Sequence, residues 1–150
     1  MQYVAEHMRP DEREHWCAMT GATNYDIDTA ARALMMAPGL KLAIVDGAGI
    51  PAVVGGFTQI RGKVLEAWMA GTPHGWNAQW RDITRSVRWM FAQQFEAGAQ
   101  RIQIVTLESR QKACQWYTDG LGMQLESVMH QAGAHGETLV TYVILAGEAS

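Results

Sequence analysis

The stretch Arg110–Glu126, RQKACQWYTDGLGMQLE, reads as the end of a helix, a glycine-marked turn and the start of a strand. Trp116 and Tyr117 stand together on its short, partly polar helix, and Gly120 and Gly122 mark the way out. A tyrosine in this setting has two uses. It can pack its ring beside Trp116 with the hydroxyl at the rim, or the hydroxyl can move a proton. The rest of the chain decides what architecture surrounds it.

Just upstream, RIQIVTL (101–107) carries apolar residues on both faces and so reads as a central strand. Before it, TPHGWNAQWRDITRSVRWMFAQQFEAG (72–98) is the strongest helix signal in the chain. Trp76, Trp80, Ile83, Val87 and Met90 recur at steps of four and three and predict one apolar stripe. Arg81, Arg85 and Arg88 form a neighbouring stripe. LKLAIVD, AVVGGFTQI and VLEAWMAG (40–46, 52–60 and 64–71) switch to strand period and are joined by short turns, which predicts an antiparallel meander. Gly55-Gly56 inside the second of them implies a bulge or a close backbone approach. Further upstream, RPDEREHWCAMTG and YDIDTAARALMMAPG (9–21 and 25–39) read as helices, and QYVAE (2–6) as a short strand. Downstream, MQLESVMHQ and TLVTYVILA (123–131 and 138–146) are two further strands. The order β-α-α-β-β-β-α-β-α-β-β is that of an α/β domain with a mixed sheet, spanning 1–150 as a single domain. The long helix is a crossover, so the strands on either side of it should be parallel neighbours.

The totals narrow the function. With 150 residues and 48% apolar content the chain can bury a substantial core. A net charge of −3 argues against nucleic-acid or membrane binding by bulk charge. Cys17 and Cys114 lie far apart without metal-ligand spacing; a disulfide is allowed but not demanded, and two thiols among five scattered histidines suit a reducing, cytoplasmic setting. No stretch has signal-peptide or bilayer-spanning character, so a soluble protein is expected. No His/Cys/Asp spacing points to a metal, and neither a Gly-x-Ser-x-Gly elbow nor a Walker loop is present.

The element order, together with ACQWYTDGLGM, resembles the GNAT acyltransferase family. Its members carry a late helix of pattern Asn-x-x-Ala-x-x-x-Tyr, followed within a turn by Leu-Gly-Phe and a new strand. Ala113, Tyr117, Leu121 and Gly122 fall on that pattern, Met123 replaces the Phe, and Arg110 stands in place of the Asn. The resemblance implies acetyl-CoA as cosubstrate and an amine as acceptor. It further implies that the strand before the long helix splays from its neighbour and pairs its backbone with the pantetheine arm. In this chain that strand holds Trp68, Met69 and Ala70. The family's next loop, Arg/Gln-x-x-Gly-x-Gly/Ala, offers backbone amides to the pyrophosphate at a helix N-terminus, where free N–H groups and the helix dipole both favour anions. TPHGWNAQW departs from it. Gly75 is its only glycine, Asn77 and Gln79 stand near the glycine positions, and Trp76 and Trp80 flank it. Trp76, Asn77, Ala78 and Gln79 are the residues the resemblance places at the pyrophosphate, with Arg81 beside them. WMAGT with the arginine-striped helix and the late aromatic helix is also similar to a narrower family, the GNAT-like proteins of tailed phages. That family includes internal virion protein A of short-tailed phages. Membership there would place the protein in host cytoplasm or in the virion, with other virion or assembly proteins as partners and without assured acetyltransferase chemistry.

The resemblance gives Tyr117 the role of acid toward the departing thiolate, against packing beside Trp116. Glu66 lies mid-strand on the face of Val64 and Trp68. A partly buried carboxylate there suits a general base for an amine; the alternative is an ion pair across the sheet or a solvated strand end. His74, before the long helix, reads as an exposed loop residue in preference to a base. The arginine stripe reads as a solvated face with Asp82 and Glu96 as partners, as a phosphate contact, or as a dock for an acidic protein.

Overall fold

A computed structural model describes residues 1–148. Six strands form one mixed sheet in the order β1-β2-β3-β4-β6-β5. The strands are β1 (Leu40–Val45), β2 (Pro51–Arg61), β3 (Val64–Gly71), β4 (Arg101–Leu107), β5 (Gln124–Met129) and β6 (Leu139–Leu145). The helices are α1 (Gln2–Glu6), α2 (Pro10–Thr20), α3 (Ile27–Met36), α4 (Pro73–Glu96) and α5 (Gln111–Gln115), and α5 runs into a π-helical turn, Trp116–Gly120. The meander β1-β2-β3 is antiparallel, and the crossover α4 makes β3 and β4 parallel neighbours, as the sequence predicts. β4, β6 and β5 complete the sheet in antiparallel pairs.

One element departs from the expected order. Gln2–Glu6 is helical, not a strand. Val4 and Ala5 are both fully buried, in the same cluster as Ala30, Ala31 and Leu34 of α3. Neighbouring residues of a strand point to opposite faces, so a strand could not put both into one cluster. The glycine pair Gly55-Gly56 makes a close approach and no bulge: the β2 register is continuous there. A Cβ on Gly56 would lie 2.2 Å from the Leu40 carbonyl oxygen and 3.1 Å from the Trp68 ring. The two cysteines are free thiols.

Each face of the sheet has its own core. Ala67 of β3 and Phe57 of β2 pack with Ile83, Val87 and Phe91 of α4. Val54 and Ala70, on the other face, pack with α1 and α3, and Trp68 joins them. Period-two alternation along β3 accounts for the division.

The segment expected to hold a pyrophosphate loop is helical from Pro73 onward. Thr72 caps it, its Oγ1 accepting from Gly75 N at 3.0 Å, and proline is preorganised for a first-turn position. Gly75 sits against β2, where a Cβ would approach Ala52 Cα to 2.4 Å. The helix is not uniform. Gln79 has φ −129° and ψ 15°, and two helical segments meet there. The predicted stripe needs one correction. Ile83 and Val87 are buried and Phe91 joins them, but Trp80 is 45% exposed. Trp80, the first residue after the break, turns its ring to solvent, where it meets the Arg81 guanidinium at 4.7 Å.

Candidate active site

β3 and β4 pair over only three residues each, Val64–Glu66 against Arg101–Gln103. Beyond them the strands part. The backbone of β3 shows what faces the opening. Gly71 N donates to Glu12 Oε2 at 2.9 Å, and Arg9 N donates to the Gly71 carbonyl at 3.3 Å. Thr72 N turns the other way, to the Ala52 carbonyl of β2. Since backbone groups alternate along a strand, those of Met69 and Ala67 face the opening and those of Trp68 and Ala70 face β2. Of the three residues placed on the pantetheine, Met69 is therefore the one whose amide points into the gap.

Two cavities meet at this opening. One, of about 240 Å³, lies beneath β3 and is lined mainly by apolar side chains, with Glu66, His15, Arg110 and Tyr117 as its polar exceptions. The other, a cleft of about 450 Å³, runs between the start of α2, the start of α4 and α5, past Arg9, Asn77 and Lys112. Met69, Arg110, Trp116 and Tyr117 line both. Trp76 leaves the cleft open: it stands edge-on to Trp116 at 4.8 Å, under the Arg9 guanidinium at 4.7 Å.

Tyr117 belongs to the π-helical turn. The i→i+5 bond from Leu121 N to the Trp116 carbonyl widens the chain at that point. Gly120 is required there because a Cβ would strike the Trp116 ring at 2.6 Å. Tyr117 is 6% exposed, its ring lying between Trp116 and Tyr142. Burial pushes its hydroxyl above the ordinary tyrosine value, against the pull of the nearby Arg110 charge and the Thr106 hydroxyl. A phenol in that state keeps its proton at neutral pH and can donate it.

Glu66 is half-buried and accepts from Gln103 Nε2 at 3.3 Å. It shares a face of β3 with Trp68, whereas Tyr117 packs in the core of the opposite face. Both reach the cavity because the parted strands open the sheet between its faces. His74, Asn77, Ala78 and Arg81 are exposed, and Trp76 and Gln79 half-buried. Of the first-turn amides, Gly75 N is bound to the Thr72 hydroxyl and Trp76 N to the Thr72 carbonyl. A pyrophosphate at this helix end would therefore be met by side chains, Arg9, Asn77 and Lys112, more than by a nest of free amides. The pantetheine end fits better, since the gap has Met69 on one side and Tyr117 at its floor. In the arginine stripe, Arg85 pairs with Asp82 at 3.2 Å on the surface.

The sequence reading missed a buried polar cluster beside Tyr117. Glu12 is 3% exposed and Arg110 7%. Glu12 Oε1 takes Arg9 Nη2 at 2.6 Å and lies 3.7 Å from Arg110 Nη2, while Arg110 Nε donates to Asp11 Oδ2 at 2.8 Å and its Nη1 to Thr106 Oγ1 at 3.2 Å. Asp11 is half-buried, which would raise its pKa, but the hydrogen bond and charge of Arg110 hold it below the usual carboxylate range. His15, one turn on from Glu12, lines the apolar cavity with its Nδ1 buried and unpartnered. The one available signal was the spacing of Asp11, Glu12 and His15 on α2, which puts 12 and 15 on one side of the helix.

His15 gives a measurable signature. Burial, helped by the Arg110 charge and opposed by Asp11, lowers its pKa from the ordinary 6.5 to about 4. Between these values the unfolded chain takes up a proton that the folded chain refuses. Stability is therefore full above pH 6.5 and falls as the pH drops toward 4. The loss amounts to about 2 kcal/mol between pH 7 and pH 5. Urea titrations at both pH values should give that difference for the parent and little of it for His15→Gln; the same loss of stability in both proteins would show that His15 is not buried as a neutral ring.

Among the described residues no His/Cys/Asp/Glu group could hold a metal, and no helix is long and apolar enough to cross a membrane. No protein-family model matches the chain, and neither does any curated protein. Solved structures do. A probable acetyltransferase of the GNAT family from Chromobacterium violaceum superposes with a TM-score of 0.71 at 18% identity, over 98% of this chain and 82% of that one. A GNAT-family acetyltransferase from Bacillus anthracis gives 0.70 at 13% identity, over 97% and 86%. A variant of the spermidine N-acetyltransferase of Vibrio cholerae gives 0.63 at 13% identity, over 82% and 75%. The six-stranded mixed sheet, parted between its parallel strands and crossed by α4, is thus the fold of the GNAT acetyltransferases.

Proposed function

We propose that this chain, acting as a single domain, is an acyl-CoA-dependent N-acyltransferase. The observation that carries the reading is the parting of β3 from β4 after Glu66 and Gln103, over a cavity reached by both Glu66 and a buried, protonated Tyr117. Acyl-CoA supplies an activated thioester. The Met69 amide, between those of Trp68 and Ala70, aligns it in the gap. Glu66, or a water held by it, accepts the proton of the attacking amine as the C–N bond forms. Tyr117 gives its proton to the sulfur as the C–S bond breaks. Arg9, Asn77 and Lys112 receive the phosphates, beside Trp76, Ala78 and Gln79, with Arg81 further along the same helix. The acceptor is an amine; the spermidine enzyme among the similar folds makes a polyamine a natural first choice for assay.

Calorimetric titration tests this. Acetyl-CoA is expected to bind in the micromolar to low-millimolar range, with a rise in Tm. No heat and no thermal shift with either acetyl-CoA or a longer acyl-CoA at millimolar concentration would end the enzymatic reading.

One observation favours a second reading. The helix-end amides are already engaged by Thr72, and large apolar side chains such as Trp89 (62% exposed) and Met36 (81%) face solvent. Aromatic and methionine side chains are favoured in interface cores. On this reading the chain is a phage virion or assembly protein that keeps the fold without the chemistry. Its peptides should then appear in purified particles by mass spectrometry, and their absence would refute it.

A further inference from the structure

We infer that the acyl group transferred is a medium-length aliphatic chain and not acetyl; this rests on the acyltransferase reading above. The two cavities differ in character and share one neck. The cleft carries Arg9, Asn77 and Lys112 and suits the phosphates and pantetheine. The other is walled by apolar side chains, including Ile44, Val53, Phe57, Val87, Met90 and Phe91, between the sheet and α4. Met69, Arg110, Trp116 and Tyr117 line both. A thioester whose sulfur lies at Tyr117 and whose CoA arm runs back along the cleft sits at that neck, and its acyl group points into the apolar chamber.

Size decides how long a chain fits. A dry apolar cavity of about 150 Å³ takes a six-carbon ring. The chamber here measures about 240 Å³, so by proportion it takes roughly six to ten carbons. Part of that volume lies on the Glu66 and Trp68 side and admits the amine, but an acetyl group would still leave the side walled by α4 vacant. Interiors are packed at close to crystal density, so an apolar space of this size at the candidate reaction centre calls for an apolar occupant. Its polar groups, Glu66, His15, Arg110 and Tyr117, are few. Free water would find few partners among the hydrocarbon walls, and each methylene that enters tightens binding by up to about fourfold.

Titrations of CoA, acetyl-CoA, hexanoyl-CoA and octanoyl-CoA against the full chain test the inference. Hexanoyl- or octanoyl-CoA should bind at least about tenfold more tightly than acetyl-CoA. Met90→Trp, which narrows the chamber from α4, should abolish that advantage and leave acetyl-CoA binding unchanged. Leu42→Trp at the half-exposed edge strand is a second variant with the same expected result, should Met90→Trp fail to fold. Equal or weaker binding of the longer chains, with acetyl-CoA still bound, overturns the inference and leaves the acyltransferase reading standing. Binding of none of the four overturns both.

Discussion

Tyr117→Phe is expected to lower kcat for acyl transfer by about 10²-fold while leaving the Kd for acyl-CoA unchanged. The lower end of the usual range for a lost general acid applies because a thiol, with an ordinary pKa of about 8.5, leaves readily even without a proton. The substitution keeps the ring between Trp116 and Tyr142, so packing is retained and the Tm should hardly move. The pH profile distinguishes the roles further. Burial holds the Tyr117 hydroxyl above its ordinary value, so the parent should keep its kcat up to pH values above about 10. Single-turnover kinetics with excess enzyme would measure the chemical step. Unchanged turnover in the variant would return Tyr117 to packing alone.

The largest stability effect should come from Glu12. Removing its carboxylate as Glu12→Ala takes a partner from Arg9, another from Arg110 and the acceptor from the Gly71 amide. Breaking a buried charge pair by deleting one member typically costs about 3–5 kcal/mol, because the other charge is left without compensation. Arg110 retains Asp11 and Thr106, and Arg9 retains the Trp76 ring, so about 3 kcal/mol is expected here. For a chain of this size that is a fall in Tm of about 6–12 °C. Glu12→Gln keeps an oxygen for Gly71 N and should recover part of the loss. Calorimetric unfolding of the three proteins checks this; a Tm for Glu12→Ala within 2 °C of the parent, taken as roughly the shift of a neutral change, would mean that the cluster is solvated.

The same cluster accounts for Arg110. Arg110 stands where the GNAT pattern that this helix resembles has asparagine. In the structure its guanidinium ties α5 to α2 through Asp11, a residue 99 positions away, and to β4 through Thr106. The cofactor segment is the converse case. TPHGWNAQW has a single glycine, and no open loop is present. Pro73 starts the helix, Thr72 caps it, and Gly75 is the point of contact with Ala52.

What the sequence determined by itself is the architecture. Apolar, strand-like runs marked all six strands, start and stop residues marked α2 and α3, a period-3.6 stripe marked α4, and the crossover made β3 and β4 parallel. These are local patterns, because burial of one face is written into the order of the residues that form it. The position of Tyr117 on the last helical segment before β5 was also legible, through its place after Ala113 and before Leu121-Gly122. The tertiary structure alone decided the rest. Whether Glu12, His15 and Arg110 are surface charges or a buried group depends on partners brought from distant elements, since a charge leaves water only when it is paired. The break in α4 at Gln79 is announced by no local period, and α1 depends on a cluster built with α3. The size of the chamber under β3 is set by how far the strands part and by the side chains that α4 presses against them, and no local period records that distance.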